Sequence, residues 1–138
     1  MKSRETLMRL HRFDVDEKRR QVADIELMIN EFRRMATDLD RQIEVEQEAA
    51  GVSDVNHYAY PTFAKAAIQR RDNLLASVAE LEGKLDAARD ELAAAVEELK
   101  KVELMDERSA VRDNRERNKR EQGELDEVAA NAHHGIYS

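Results

Sequence analysis

The stretch that decides the fold is residues 74–102, which read LLASVAELEGKLDAARDELAAAVEELKKV. Its main apolar positions recur at alternating steps of four and three residues: Leu74, Val78, Leu81, Leu85, Ala88, Leu92, Ala95, Leu99 and Val102. This spacing places them on one stripe of an α-helix and is typical of a coiled-coil seam. Gly83 lies off the stripe, so it lowers helix propensity by about 1 kcal/mol without opening the seam.

A second stripe with the same period lies earlier in the chain, within a segment (residues 3–50) that contains neither glycine nor proline. Its members are Val22, Ile25, Ile29, Phe32, Ala36, Leu39 and Ile43. Further upstream, Leu7, Leu10 and Phe13 are apolar but do not fall in this register. We therefore expect a local shift of the seam there, or a contact with something else.

The two stripes are separated by residues that stop and restart a helix. Gly51 is followed by turn-forming residues, and Pro61 lies just inside a new helix start, where its missing N–H costs nothing. The sequence thus predicts an all-α protein with a helix at about 3–50, a turn at about 51–61 and a helix at about 62–130. Together they form a single antiparallel coiled-coil hairpin over residues 1–130, and residues 131–138 are expected to be a flexible tail.

Antiparallel pairing about this turn joins positions whose numbers add to roughly 112, because both helices rise equally per residue. Ile43 is then expected near Arg70, Phe32 near Glu80 or Leu81, and Val22 near Asp90 to Leu92. Leu10 and Phe13 are expected near Leu99 and Val102. Beyond Met105 the seam positions turn polar: Asp106, Ser109 and Asp113. The second helix is longer than the first, so we expect it to project past the N-terminus.

Composition narrows the class of protein. Charged residues make up 38% of the chain and aromatic residues 4%, a mixture that suits long solvated helices sharing a narrow seam. The chain has no cysteine, which excludes disulfides and thiolate metal sites. No signal-peptide core or 18-residue apolar run is present, so we expect a cytoplasmic protein without direct membrane insertion.

No catalytic pattern is present. The chain lacks a glycine-rich phosphate loop, a nucleophile elbow and a paired-histidine zinc motif. His133 and His134 are adjacent in the expected tail and make a poor metal site. We therefore expect no enzyme activity, no cofactor and no bound metal.

Three features are candidates for partner binding. The turn concentrates Tyr58, Tyr60 and Phe63, and aromatic residues at an exposed tip often form contact points. Residues 108–120, including Arg112 and Arg115, carry six positive and two negative side chains. Because the net charge is −7 and no aromatics interleave this stretch, a solvated face or an acidic protein partner is favoured over nucleic acid.

The third candidate is a set of apolar residues off the main stripes, which could bind a partner or a second copy: Met8, Val15, Met28, Val45, Val55, Ile68, Leu104 and Val111. Scattered surface apolar residues are also normal, so each of them taken singly needs no function.

Three local stretches resemble the FliJ family of the flagellar type III export apparatus. They are Leu7-x-x-Leu10 followed by Val15-Asp16-Glu17-Lys18 and Val22-Ala23, then Tyr60-Pro61-Thr62-Phe63, and finally Glu121-Gln122-x-x-Leu125-Asp126-Glu127-Val128-Ala129. In the last stretch Val128 stands where the family usually has an aromatic residue. The hairpin plan and the chain length also match.

This resemblance implies a non-catalytic, stalk-like adaptor that binds the hexameric export ATPase and links it to the membrane export gate and to export chaperones. It implies that Leu7, Leu10 and the stretch 121–129, which includes Leu125, Asp126, Glu127 and Val128, engage the ATPase. It also implies that Tyr60 and Phe63 face the gate. It also allows peripheral association with the inner membrane through the apparatus. Two alternatives stay open: a self-associating structural coiled coil, such as a homodimer, and a nucleic-acid-binding helical arm.

Overall fold

A computed structural model describes residues 2–137, and the side chains of residues 3–135. It contains two long helices, α1 over Lys2–Ala50 and α2 over Thr62–Tyr137, and no strand within the described residues. The helices have 49 and 76 residues and pack against each other as a hairpin. The predicted all-α hairpin with a longer second helix is confirmed.

Helix α2 continues beyond the end that the sequence suggested. We expected a helix to about residue 130 and a flexible tail at 131–138, whereas α2 runs to Tyr137. Ser138 lies outside the described residues. No proline follows the expected end to stop the helix, and Gly135 lies inside the last turns.

The turn begins with a glycine cap on α1. Gly51 adopts a left-handed φ of 69°, a conformation that costs a glycine little. Its N–H donates to the carbonyl of Glu48 (3.2 Å), and that of Val52 donates to the carbonyl of Gln47 (3.3 Å). These two bonds form a Schellman motif, which satisfies carbonyls that the helix end would otherwise leave unpaired.

The start of α2 coincides with the expected residue 62, but Pro61 lies just before the helix rather than just inside it. Helix α2 begins at Thr62, and the carbonyl of Pro61 accepts the N–H of Lys65 (3.1 Å). Pro61 therefore occupies the cap position rather than the first helical position. Its ring still fits, because neither position needs a backbone donor.

Two compact units make up the chain, residues 13–95 and residues 1–12 with 96–138. In the first, called the stem unit, a hydrophobic core joins the two predicted stripes. Ile29, Val78, Leu81 and Leu85 are buried there, and the partly buried residues packed against them are Val22, Ile25 and Phe32. Removing this apolar surface from water is the main force holding the stem unit together.

Ion pairs across the stem unit report the alignment of its two helices. Arg71 Nη1 lies 3.0 Å from Asp40 Oδ1, and Arg89 Nη2 lies 3.3 Å from Glu26 Oε1. Arg33 pairs with Glu82 in the same manner. The residue numbers of these pairs add to between 111 and 115, in agreement with the predicted antiparallel register.

The seam of the stem unit is longer than the two predicted stripes. On α1, Val15 is buried and Lys18 half-buried, at steps of three and four before Val22. Tyr60, in the turn, is buried, and so are Ala64 and Ala67 of α2, at steps of four and three. Val15, which was predicted as an off-stripe residue, is therefore a seam residue.

The second unit, called the end unit, comprises residues 1–12 and 96–138. On its α1 segment Arg4, Met8 and His11 are half-buried at steps of four and three, so the seam does not shift. Leu10 is exposed, and so is Phe13 in the stem unit. Met8 and His11 occupy the seam positions of α1 there, and the contacts of Leu10 and Phe13 with Leu99 and Val102 stay a prediction.

In the end unit the apolar seam ends, and ionic contacts take its place. Val102 is buried, and the next seam positions, Asp106 and Ser109, are half-buried. The Arg4 guanidinium lies 3.9 Å from Asp106 Oδ1 and 3.8 Å from Asp113 Oδ2. From Val111 to Gly135 every side chain is exposed, and this segment is called the extension below.

Candidate interaction surfaces

The turn presents one tyrosine and buries the other. The Tyr58 side chain is 95% exposed and its ring stacks on His57, with centroids 4.6 Å apart. Tyr60 is only 6% exposed, and its hydroxyl accepts a hydrogen bond from Gln47 Nε2 at 2.9 Å. Tyr60 thus ties the turn to the last turns of α1, whereas Tyr58 and the exposed Phe63 remain available to a partner.

Local hydrogen bonds hold the stacked rings of His57 and Tyr58 in place. Asp54 Oδ1 accepts the N–H of Asn56 (3.0 Å), and the Asp54 carbonyl accepts the N–H of His57 (3.0 Å). The His57 ring accepts the N–H of Ala59 through Nδ1 (3.0 Å), which fixes the orientation of the imidazole. Because His57 is fixed and stacked on Tyr58, the turn offers a preorganised flat aromatic surface.

The end unit contains a shallow groove between its two helical segments. The groove has a volume of about 310 Å³ and brings together Leu7 and Arg112, two of the predicted site residues. Its other lining residues are Arg4, Val102, Met105, Arg108 and Ser109. Leu10 does not line this groove and is exposed elsewhere on α1.

A second concave surface lies on α2 alone. It measures about 430 Å³ and is lined by Glu107, Arg108, Val111, Arg112 and Arg115. Half-exposed Val111 thus lies among three guanidinium groups, a combination that suits an amphipathic partner with carboxylates. Arg108 begins the basic stretch identified from the sequence, whereas Met105 was noted there only as the end of the apolar seam.

Some cations are paired with carboxylates of the chain, and others are not. In the stem unit, hydrogen bonds from Arg71 to Asp40 and Asp72 raise the pKa of its guanidinium. The hydrogen bond from Arg34 lowers the pKa of Glu31. Among the described residues, no ion pair engages Arg108, Arg112 or Arg115. Their charge is therefore free to meet an external carboxylate.

The predicted C-terminal site residues all lie in the extension. Leu125 and Val128 are 64% and 65% exposed and are three residues apart, so they share one face of α2. Asp126 accepts a hydrogen bond from Gln122 Nε2 (3.0 Å), and Glu127 is exposed. This segment is an amphipathic helix whose apolar face nothing in the chain covers, within the described residues.

Two further properties describe the chain from residue 2 to residue 137. Neither α1 nor α2 contains a stretch long and apolar enough to cross a lipid bilayer. Within the same range, no three His, Asp or Glu side chains come close enough together to hold a metal ion.

Comparison with known proteins gives one result that covers nearly the whole chain. The family model described as "Flagellar FliJ protein" matches residues 1–135. No curated protein sequence and no solved structure gives a significant match. Since the family match includes both helices, the turn and the extension, the chain belongs to the FliJ family, whose members are structural components of the flagellar export apparatus.

Proposed function

We propose that this protein is a non-catalytic, stalk-like adaptor that binds the flagellar export ATPase and links it to the export gate and to export chaperones. The observation that carries the proposal is the exposed amphipathic face of the extension, with Leu125 and Val128 uncovered beside Glu121 and Glu124. A helix of this kind gains little by standing alone in water, whereas a groove on a partner would bury its apolar stripe.

The end unit supplies a second element for the same contact. Leu7 lines a groove together with Met105 and Arg112, and both apolar side chains are exposed. A docking surface with an apolar centre and a charged rim matches the usual anatomy of protein interfaces. We assign Leu7, Leu10, Arg112, Arg115 and the Leu125–Val128 stretch to the ATPase contact.

The turn is assigned to the other partners. Tyr58 and Phe63 supply exposed aromatic surface, and exposed tyrosines with little conformational freedom are frequent anchors at interfaces. We assign these two residues to the export gate or to the chaperones. Tyr60 is withdrawn from the contact because its ring is buried against α1. The proposal places the protein in the cytoplasm, with peripheral membrane association through the gate.

The test measures ATP hydrolysis and ring formation by the export ATPase of the same organism. The full chain, a truncation that ends at Asn118 and the double variant Leu125→Ala/Val128→Ala are compared. The full chain is expected to stimulate hydrolysis, and the truncation and the double variant are expected to lose most of the stimulation. Leu27→Ala is the matched control, because Leu27 is a stem-unit leucine that is as exposed as Leu125.

Two outcomes contradict the proposal. Stimulation by the truncation at the level of the full chain would remove the extension from the contact. Equal loss of stimulation in Leu27→Ala and in the double variant would show that any exposed leucine matters, and the assigned surface would then have no special role.

A further inference from the structure

The second half of α2 carries a stripe that the hairpin seam does not use. From Leu104 onward, positions at alternating steps of four and three residues fall on one face of the helix: Leu104, Arg108, Val111, Arg115, Asn118, Gln122, Leu125, Ala129 and Ala132. All nine side chains are exposed. The hairpin seam passes instead through Val102, Asp106 and Ser109. The period is that of a coiled coil, but the chain supplies no partner helix for this face within the described residues.

The charges along this stripe reverse sign near its middle. Residues 108–120 carry six positive and two negative side chains, an excess of four positive charges. Residues 121–127 carry four negative side chains and no positive one. Among the described residues, Glu121 and Glu124 have no ion pair, and neither have the arginines at 112 and 115. The segment is therefore complementary to a copy of itself turned end for end.

We propose that the exposed stripe of α2 binds the same stripe of a second copy of this chain, in antiparallel orientation, with Asn118 close to the two-fold axis. This inference does not rest on the proposed function. Because the dimer would cover Arg112, Arg115 and Leu125, a bound ATPase would have to displace the second copy. In this arrangement Val111 of one copy lies near Leu125 of the second copy. Leu104 lies near Ala132 of the second copy, so both ends of the contact bury apolar surface.

Charge favours this orientation over the parallel one. The antiparallel arrangement brings Arg112 and Arg115 of each copy near Glu121 and Glu124 of the other, and the two-fold axis repeats these contacts. Close to the axis, Arg117 of each copy lies near Lys119 of the other. This like-charge repulsion opposes the antiparallel arrangement. A parallel pair would instead set all six basic residues of 108–120 against the same six. Asn118 near the axis adds a polar layer of the kind that fixes register in coiled coils.

The dimer is expected to be weak and sensitive to salt. Few large apolar side chains are available on the stripe, and exposed ion pairs are screened over about 10 Å at 0.1 M salt. Sedimentation equilibrium at a protein concentration of about 100 µM and low salt should show a monomer–dimer mixture. Raising the salt concentration should shift the mixture to monomer.

Charge-reversed variants of the full chain test whether the stripes of two copies are complementary in charge. Arg112→Glu/Arg115→Glu makes the four facing positions 112, 115, 121 and 124 all acidic, and Glu121→Lys/Glu124→Lys makes them all basic. Each variant alone should raise the dimer dissociation constant at least about tenfold, because like charges then face each other. An equimolar mixture of the two should associate at least as tightly as the unchanged protein. Unfolding curves should stay unchanged, since all four side chains are exposed.

Crosslinking through single introduced cysteines tests the relative orientation of the two copies. No other cysteine can react, because the chain has none of its own. A short bis-maleimide should join two copies of Asn118→Cys, whose positions lie near the axis. It should not join two copies of Leu104→Cys, because positions 104 would be separated by about 40 Å in the antiparallel pair. Linking both variants equally would indicate a parallel pair and overturn the proposal.

Three other results would also overturn it. The unchanged protein could remain monomeric at about 500 µM and low salt. The mixture of reversed variants could fail to associate. A monomer that binds an acidic helical peptide or a nucleic acid through Arg112 and Arg115 would assign the stripe to a different partner.

Discussion

Two parts of helix α2, residues 74–102 and residues 104–132, share one periodicity but differ in what covers them. In the first part the repeat positions are leucine, valine and alanine, and Leu85 at the centre is 8% exposed. In the second part Arg108, Arg115, Asn118 and Gln122 occupy four of the nine repeat positions, and every one of the nine is exposed. Period alone therefore identifies a face of a helix, and composition decides whether that face can be buried within the same chain.

The largest expected effect comes from matched leucine truncations in the two parts. Leu85→Ala should lower the free energy of unfolding by about 2–4 kcal/mol, because it removes buried methyl groups and leaves a cavity in the core. Leu125→Ala should change it by less than about 0.5 kcal/mol, because that side chain is already in water. Urea denaturation followed by circular dichroism measures both. Similar losses for the two variants would mean that the extension is buried in solution.

Glycine-to-alanine substitutions should change stability by a smaller amount, and again only in the first of the two parts of α2. A Cβ added at Gly83 or at Gly123 meets no atom within 4 Å, and both residues are helical. Gly83→Ala should stabilise the stem unit by about 1 kcal/mol. Gly123→Ala should leave the global transition unchanged and slow amide hydrogen exchange around residue 123, since it strengthens only the local helix. If Gly123→Ala raised the free energy of global unfolding, residues 104–132 would be part of the cooperative core, as residues 74–102 are.

The smallest expected effect concerns pH and the paired charges of the stem unit. The hydrogen bond and the charge of Arg34 lower the pKa of Glu31 from its ordinary value of 4.5. Glu31 therefore contributes stability that is present above about pH 4.5 and is lost as the pH falls through its lowered folded-state pKa. The stability difference between the unchanged protein and Glu31→Gln should be measurable at pH 6 and vanish at strongly acidic pH.

Glu124→Gln serves as the control in the extension, because Glu124 has no ion pair among the described residues. At pH 6 its unfolding curve should match that of the unchanged protein. A difference between the two in the monomer would indicate a contact that the hairpin does not contain.

The architecture of the stem unit could be predicted from the sequence because its seam is chemically uniform. Ile29, Leu81 and Leu85 fall on a regular stripe, and Gly51 with Pro61 marks the turn. At the ends of the seam the same reasoning fails. Arg4, His11 and Lys18 occupy seam positions, and their polarity hides the repeat, while the more apolar Leu10 and Phe13 point elsewhere. Long cationic side chains can cover apolar surface with their stems, which a hydropathy pattern does not register.

The candidate surfaces could be predicted only in part. Tyr58 and Tyr60 look alike in sequence, but Tyr60 is buried and accepts a hydrogen bond from Gln47, whereas Tyr58 is exposed. The exposed residues of the extension followed from the failure of the seam after Met105. The groove that joins Leu7 to Arg112 could not be predicted, because it depends on two segments about one hundred residues apart.

The Schellman cap at Gly51 has a consequence for how the hairpin folds. Asp40 and Arg71 are separated by 31 residues, Arg33 and Glu82 by 49, and Glu26 and Arg89 by 63. Closing the shortest of these loops costs the least chain entropy, and each later pair then adds only the ordering of a few more residues. Because the cap ends α1 at the turn, beside the shortest loop, we expect the hairpin to nucleate there and to extend outward. Substitutions near the turn are then expected to act mainly on the folding rate, and those near residue 26 mainly on the unfolding rate.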